Sequence, residues 1–167
     1  MPIVFKGRVF SVEVHQKRFP NGAEHEVAVV RHAPAVVVIP LEADGRVVLI
    51  RQFRAAIDRE LWEVPAGSLE PGESAESAAA RECEEEIALV PKSIERLRSI
   101  WSAPGFCDEE LIFFRVSDLR PRGPDSPHKP DVDEDIGTRI FTIQEAKAMA
   151  DRGEIVDLKT VYALTLL

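Results

Sequence analysis

The chain has 167 residues, 45% of them hydrophobic and 30% charged, a composition typical of a globular protein that folds in water around a sizeable core. Its formal net charge of -8 argues against a protein that coats nucleic acid. No apolar run approaches the length of a membrane span and the N-terminus lacks a signal-peptide pattern, so no membrane partner and a cytoplasmic location are expected. The two cysteines, Cys83 and Cys107, show no metal-binding spacing and are expected to be free thiols.

The first part of the chain is rich in predicted strands. Loose alternation indicates one strand over 3–14, and a second is expected over 26–30. The β-branched apolar runs 35–40 and 47–53 are predicted core strands, joined by a hairpin turn at Asp44-Gly45. A short strand over 61–64 follows.

The second part mixes helices with strands. A helix is predicted over 74–87 with Ser74 as its N-cap, and another runs from the capping box that begins at Thr142 to a stop at Gly153. The remaining predicted segments are strands over 94–102, 110–116 and 139–141, a long Pro-rich loop over 120–137, and a final helix over 156–167. We therefore expect one domain over 1–167, of α/β or α+β class, with mixed β-sheet between helices.

Three carboxylates lie close together on the helix predicted over 74–87. Glu82, Glu85 and Glu86 are spaced so that they share one helix face. Such a patch repels itself unless a hard divalent cation binds it. The alternative is a solvated acidic face, which is the usual meaning of a charge run.

The surrounding sequence resembles the signature of the Nudix hydrolases. The matching positions are Gly67, Glu73, Arg81, Glu82, Glu85, Glu86 and Leu89. Two positions depart from the pattern. Cys83 replaces an aliphatic residue, which is a mild change because a buried Cys behaves as a small hydrophobe. Ala88 replaces a glycine and costs roughly 1 kcal/mol if the helix ends there with positive φ.

The resemblance implies the Nudix fold and a metal-dependent hydrolase. It implies that Mg²⁺, for which Mn²⁺ can substitute, is bound by the Ala66 carbonyl and by Glu82, Glu85 and Glu86. Arg81 and Glu73 are expected to pair and hold the loop in shape. Gly67 is expected to permit close backbone approach to metal or phosphate. The family's base is a glutamate in the loop before the last strand. The candidates are Asp131, Asp133, Glu134 and Asp135, of which Glu134 is the best match, and Glu85 is a second catalytic carboxylate.

Flanking residues look like the ADP-ribose pyrophosphatase subgroup. The segments 60–67 and 102–109 carry this likeness, and Pro104 lies at about the subgroup's marker position. The implied reaction is cleavage of ADP-ribose to AMP and ribose 5-phosphate. Two alternatives are hydrolysis of another nucleoside diphosphate sugar, and a sensor module that binds ADP-ribose without cleaving it.

The same likeness nominates substrate-binding residues. Arg54 matches an arginine that contacts phosphate or ribose, whereas Arg51, three positions earlier on the strand, faces the other side and can instead form a structural ion pair. The other candidates are Glu63, Pro104 and Gly105, together with Arg8 and Val9, which are expected to reach the partner subunit. The subgroup commonly exchanges N-terminal strands, so a homodimer is expected, with about residues 1–30 at its interface.

Overall fold

The computed structural model describes residues 2–128 and 136–167 of the chain. The predicted strands and helices from residue 26 onward are confirmed to within a few residues at their ends. In chain order, the elements are β1 (Ile3–Lys6), β2 (Phe10–Arg18), β3 (Glu24–His32), β4 (Ala35–Pro40), β5 (Val47–Arg54), β6 (Arg59–Glu63), β7 (Ala66–Ser68), α1 (Ala75–Ile87), β8 (Leu89–Val90), β9 (Ser93–Trp101), β10 (Glu110–Ser117), β11 (Arg120–Pro121), β12 (Gly137–Phe141), α2 (Ile143–Asp151) and α3 (Leu158–Thr165).

Strand β4 shows how the core is layered. All six of its residues are buried, and successive side chains point to opposite faces. Val37 and Ile39 pack in one cluster with residues of α2 and α3. Val36 and Val38 pack in a second cluster with residues of α1. The strands are therefore covered by helices on both faces, and the predicted sandwich with mixed β-sheet is confirmed.

The turn at Asp44-Gly45 joins two sheets, so the predicted hairpin is wrong in one respect. The turn itself forms, with Gly45 at φ 81° and its N–H donating to the Glu42 carbonyl. Strand β4, however, lies between β7 and β10, while β5 lies between β12 and β6. The two strands therefore do not pair along their length, and an isolated antiparallel bridge between Leu41 and Val47 lies beside the turn.

Helix α1 begins and ends as its sequence predicts. Ser74 is the N-cap and accepts a hydrogen bond from the Ser77 N–H at 3.1 Å. Small residues let the helix approach the sheet, and Cys83 is wholly buried there. Burial raises the pKa of the Cys83 thiol to about 12. The helix ends at Ala88 with φ 57° and ψ 29°, the left-handed conformation for which the glycine of the signature is suited.

The N-terminal strands form a sheet of their own. The single strand expected over 3–14 is instead two strands, because the chain turns between Gly7 and Phe10, where the Gly7 N–H donates to the Phe10 carbonyl. Strands β1, β2 and β3 pair only with one another among the described strands. Several large apolar side chains of this region are exposed, namely Ile3, Val4, Phe5, Val9 and Phe10.

Three short strands were not expected from the sequence, β7, β8 and β11. Two of them, β8 and β11, pair and join the end of α1 to the start of the Pro-rich segment. Strand β7 pairs with β4 and contains Ala66 and Gly67. In the parts of the chain that the structure describes, no helix is long and apolar enough to cross a membrane.

Candidate active site

Strand β7 lies directly against the acidic face of α1. A β-carbon at Gly67 would overlap the carboxylate of Glu82, so the absence of a side chain there makes room for that carboxylate. The N–H of Ala66 donates to Glu86 Oε2 at 3.0 Å. Glu82 and Glu86 are 7% and 6% exposed. Gly67 was expected to allow close approach of a metal or phosphate to the backbone. The group that approaches it in the structure is the carboxylate of Glu82, a predicted metal ligand.

Arg81 joins four acidic or carbonyl groups around these ligands. Its Nε and Nη2 donate to the two oxygens of Glu73 at 3.0 and 3.1 Å, which confirms the predicted pairing. Its Nη1 donates to Glu82 Oε1 at 2.7 Å and to Glu85 Oε2 at 2.8 Å. The Ser68 carbonyl accepts from Nη2. Arg81 thereby fixes the loop after β7 to α1.

The charged groups around Arg81 shift the pKa of Arg81 and that of Glu73. Burial by itself would lower the pKa of Arg81, but its hydrogen bonds and the negative charges of Glu73, Glu82 and Glu85 outweigh burial and raise it. The hydrogen bonds from Arg81 hold the pKa of Glu73 below its usual value. Arg81 and Glu73 therefore carry opposite charges at neutral pH.

The residues present fit a hard divalent cation. The donor set is carboxylate and backbone oxygen, which Mg²⁺ prefers, and Gly67 gives Glu82 its place beside β7. Among the described residues, however, no three acidic, His or Cys side chains converge as a metal cage. Arg81 Nη1 donates to both Glu82 and Glu85. One arginine thus partly neutralises the face on which a cation would bind.

A cleft of about 540 Å³ opens beside β7. This volume lies within the roughly 300–1,000 Å³ usual for small-ligand sites. Its lining combines predicted residues with others from β3, β10 and α3, and consists of Arg8, Val9, His32, Ala35, Arg54, Ala66, Gly67, Ser68, Ser102, Glu109, Leu111, Asp157, Leu158 and Lys159. The structure thus brings Arg8, Val9, Arg54 and Ala66 together in one chain, whereas Arg8 and Val9 were expected to reach the partner subunit.

Glu63 lies behind the cleft wall. It is 1% exposed, and its two oxygens accept from Arg54 Nε at 2.7 Å and Nη2 at 2.6 Å. Lys159 Nζ donates to Glu63 Oε2 at 2.7 Å. The hydrogen bonds to Glu63 raise the pKa of Arg54. Of the two roles that the sequence left open for Glu63, the structural one matches this placement.

Arg51 and Arg54 have different partners, as expected from their spacing. Arg51 Nη2 contacts Glu60 Oε2 at 2.5 Å, with both side chains about half exposed, and its guanidinium lies 6.0 Å from the Trp62 ring centre. Arg51 is outside the cleft lining. Its position matches the ion-pair alternative rather than substrate contact.

The loop that carries Pro104 and Gly105 is attached to β3. Arg31 Nη1 and the His32 N–H donate to the Asp108 carboxylate at 2.9 Å each. The two ends of the loop, Ser102 and Glu109, line the cleft, whereas Pro104 and Gly105 are exposed beyond it. The predicted base Glu134 lies outside the described residues.

Two charged residues of the cleft were missed by sequence reasoning. Asp157 and Lys159 stand at the start of α3, and Asp157 is that helix's N-cap. The Asp-x-Lys-Thr pattern signals a helix N-terminus, but nothing local points to Glu63, which is 96 residues away in the chain. His128, which no sequence motif singles out, has its Nδ1 3.8 Å from Glu85 Oε1.

The NUDIX domain family matches residues 31–163 of the chain. An ADP-ribose pyrophosphatase of Bacillus subtilis is 32% identical over 164 residues, covering 98% of this chain and 88% of that protein. An ADP-ribose pyrophosphatase of Mycobacterium tuberculosis is 34% identical over 152 residues, covering 90% and 72%. A methanol dehydrogenase activator of Bacillus methanolicus is 33% identical, covering 98% and 88%.

A solved structure described as an ADP compounds hydrolase shares the fold, with a TM-score of 0.79 and 24% identity, covering 99% of this chain and 88% of that one. The family match spans most of the chain, and the relatives align over nearly its whole length. The chain therefore belongs to the Nudix hydrolase family, and the membership predicted from residues 67–89 is confirmed.

Proposed function

We propose that this protein is a Mg²⁺-dependent pyrophosphohydrolase that cleaves ADP-ribose to AMP and ribose 5-phosphate. The observation that carries the proposal is the fit of Gly67, which lines the cleft, against Glu82, which sets the acidic face of α1 directly beside β7. Two relatives named ADP-ribose pyrophosphatase, alignable over nine-tenths or more of this chain, support the choice of substrate.

The reaction needs negative charge to be neutralised and water to be delivered in line with the leaving group. Glu82, Glu85, Glu86 and the Ala66 carbonyl would hold the cation. Bound Mg²⁺, or Mn²⁺ in its place, supplies charge neutralisation and a more acidic water. Arg81 keeps these carboxylates on one side of α1 through its bonds to Glu82 and Glu85.

Arg54 is the proposed phosphate-binding arginine. Glu63 accepts from its Nε and Nη2, which orients the guanidinium and leaves its remaining N–H groups for a ligand in the cleft. Arg8 and Val9 line the same cleft and are proposed to contact the nucleoside. Pro104 and Gly105 are proposed to act through the loop whose ends, Ser102 and Glu109, line it. Glu134 remains the predicted base.

A product assay tests the proposal. Purified protein with excess Mg²⁺ is given ADP-ribose, ADP-glucose, UDP-glucose, a nucleoside diphosphate mannose, diadenosine polyphosphates and dNTPs. Fastest release of AMP from ADP-ribose is the expected result. Faster cleavage of another sugar nucleotide would replace the substrate while keeping the chemistry. Tight binding of ADP-ribose without any cleavage would favour the sensor alternative.

We also propose that two copies of the chain associate through residues near 1–30. The apolar side chains of β1 and β2, together with Val9, form an exposed apolar surface that a monomer would leave in contact with water. Arg8 and Val9 lie in the same segment and line the cleft. Sedimentation analysis should give a dimer, and Phe5→Asp should shift it to monomer. A monomeric parent protein would contradict the proposal.

A further inference from the structure

Helix α3 places a second positively charged side chain, that of Lys159, beside Arg54 in the cleft. Lys159 Nζ and Arg54 Nη2 both donate to the same oxygen, Glu63 Oε2, at 2.7 and 2.6 Å. The two nitrogens are therefore separated by no more than the sum of these distances. Both residues line the cleft with Ala66 and Gly67. Two adjacent cationic donors in a cleft of this size suit the oxygens of a phosphoryl group.

The ammonium of Lys159 is held in a fixed orientation. One proton is donated to Glu63 Oε2 and a second to Asp157 Oδ1 at 2.8 Å. Since an ammonium has three donors, the third is left for a ligand in the cleft. The side chain is 19% exposed, so it is largely desolvated yet accessible from the cleft. Such a donor loses little freedom when a ligand binds.

Asp157 is itself fixed by its neighbours. Its Oδ2 accepts from the N–H and the hydroxyl of Thr160 at 2.9 and 2.7 Å, and the Thr160 hydroxyl in turn accepts from the Val64 N–H at 2.9 Å. Burial works to raise the pKa of Asp157, but Lys159 and Thr160 outweigh it and the pKa is lowered. The start of α3 is thus joined to the strand segment that precedes the signature loop.

We propose that Lys159 is a substrate-binding residue whose ammonium donates to a non-bridging oxygen of the diphosphate, beside Arg54. Asp157 is a positioning residue that orients this ammonium. The inference rests on the proposed function, since it takes a nucleoside diphosphate as the ligand of the cleft. It assigns to α3, outside the signature, a direct part in recognising the phosphates.

Binding without metal tests the inference apart from catalysis. Titration calorimetry in EDTA compares ADP, inorganic pyrophosphate and adenosine on the parent protein, Lys159→Gln and Lys159→Arg. The Gln amide can still donate to Glu63, which keeps that buried carboxylate satisfied. We expect Lys159→Gln to weaken the binding of ADP and of pyrophosphate by about tenfold or more and to leave the binding of adenosine unchanged. Lys159→Arg should recover part of the lost affinity. Asp157→Asn, which retains the ammonium, should lose less than Lys159→Gln.

A second measurement uses the parent protein and does not depend on folding of a variant. The rate of acetylation of each lysine by an amine-reactive reagent is followed by mass spectrometry. ADP and pyrophosphate should protect Lys159 while adenosine does not, and the exposed Lys147 should react at the same rate throughout.

The possible failures are distinguishable. Equal ADP binding by Lys159→Gln and the parent protein, or equal loss of adenosine and ADP, would overturn the role of Lys159 and leave the proposed function standing. A parent protein that binds neither ADP nor pyrophosphate and cleaves nothing in the product assay would overturn both.

Discussion

Gly67 lies so close to Glu82 that no side chain at residue 67 could fit beside the Glu82 carboxylate in its present position. A β-carbon at residue 67 would overlap the Glu82 carboxylate. Because Gly67 is not among the residues with positive φ, alanine is tolerated by the backbone, and the carboxylate at the far end of Glu82 is what must move. The fold is thus spared, while a predicted metal ligand is displaced.

Gly67→Ala should therefore separate stability from activity. We expect turnover to fall by about 100-fold or more, because displacing a ligand costs more than disturbing its supporting residues, with the melting temperature changed by only a few degrees. Steady-state assays over a Mg²⁺ titration and thermal unfolding measure the two effects. Gly123→Ala, where nothing lies within 4 Å of an added β-carbon and φ is not positive, is the matched control. Unchanged activity of Gly67→Ala over the Mg²⁺ titration would contradict the assignment of Glu82.

Ala88→Gly should stabilise the protein. Ala88 has φ 57°, and a residue with a β-carbon is strained in this conformation, so glycine should raise the free energy of unfolding by about 1 kcal/mol. Urea denaturation measures this change, and kinetic constants should stay the same because the residue lies outside the metal ligands. Ala80→Gly, inside α1, should have the opposite sign and cost about 1 kcal/mol. An unchanged or lower free energy of unfolding for Ala88→Gly would contradict the predicted strain at Ala88.

The features that the sequence predicted are mostly local. The start of α1 at Ser74, its strained end at Ala88 and the Arg81–Glu73 pair all depend on spacing within about one signature length. Continuous apolar runs also identified β4 and β5 as core strands, because a segment buried on both faces, such as 35–39 or 47–50, is apolar on both. These properties depend on neighbouring residues, so they could be predicted without knowledge of the tertiary fold.

The features that were missed depend on contacts between distant segments. Which strands flank β4 is decided by β7 and β10, so the turn at Asp44-Gly45 alone could not show that it crosses between sheets. Lys159 and Glu63 are 96 residues apart, and nothing around either of them predicts the contact. The same limit applied to Glu63 itself, for which the sequence left both a structural and a substrate-facing role open.

Glu86→Gln should abolish most turnover and leave the fold intact. The amide oxygen of Gln can still accept from the Ala66 N–H, which the carboxylate now accepts at 3.0 Å, but the negative charge that a cation requires is lost. We expect activity to fall by about 100-fold or more, with an unchanged circular dichroism spectrum. Glu84→Gln, on the same helix but outside the predicted ligand set, is the matched control and should stay within a few-fold of the parent protein. Near-normal turnover by Glu86→Gln would remove it from the metal site.

Asp157 should make stability depend on pH in the acid range. Its pKa is lowered in the folded protein, chiefly by Lys159 and Thr160 acting against burial, so the folded state favours the ionised carboxylate. The stabilisation is present above the unfolded pKa of about 3.9 and is lost as pH falls through the lower folded value.

Asp157→Asn keeps an N-cap side chain but removes the charge. It should lower the free energy of unfolding at pH 7 by about 1 kcal/mol or more, and lose less than the parent protein does between pH 5 and pH 3. Urea denaturation at several pH values measures both, with the exposed Asp125→Asn as control. Parallel pH profiles for Asp157→Asn and the parent protein would show that acid sensitivity arises at other carboxylates, such as Glu73, whose pKa the hydrogen bonds from Arg81 also lower.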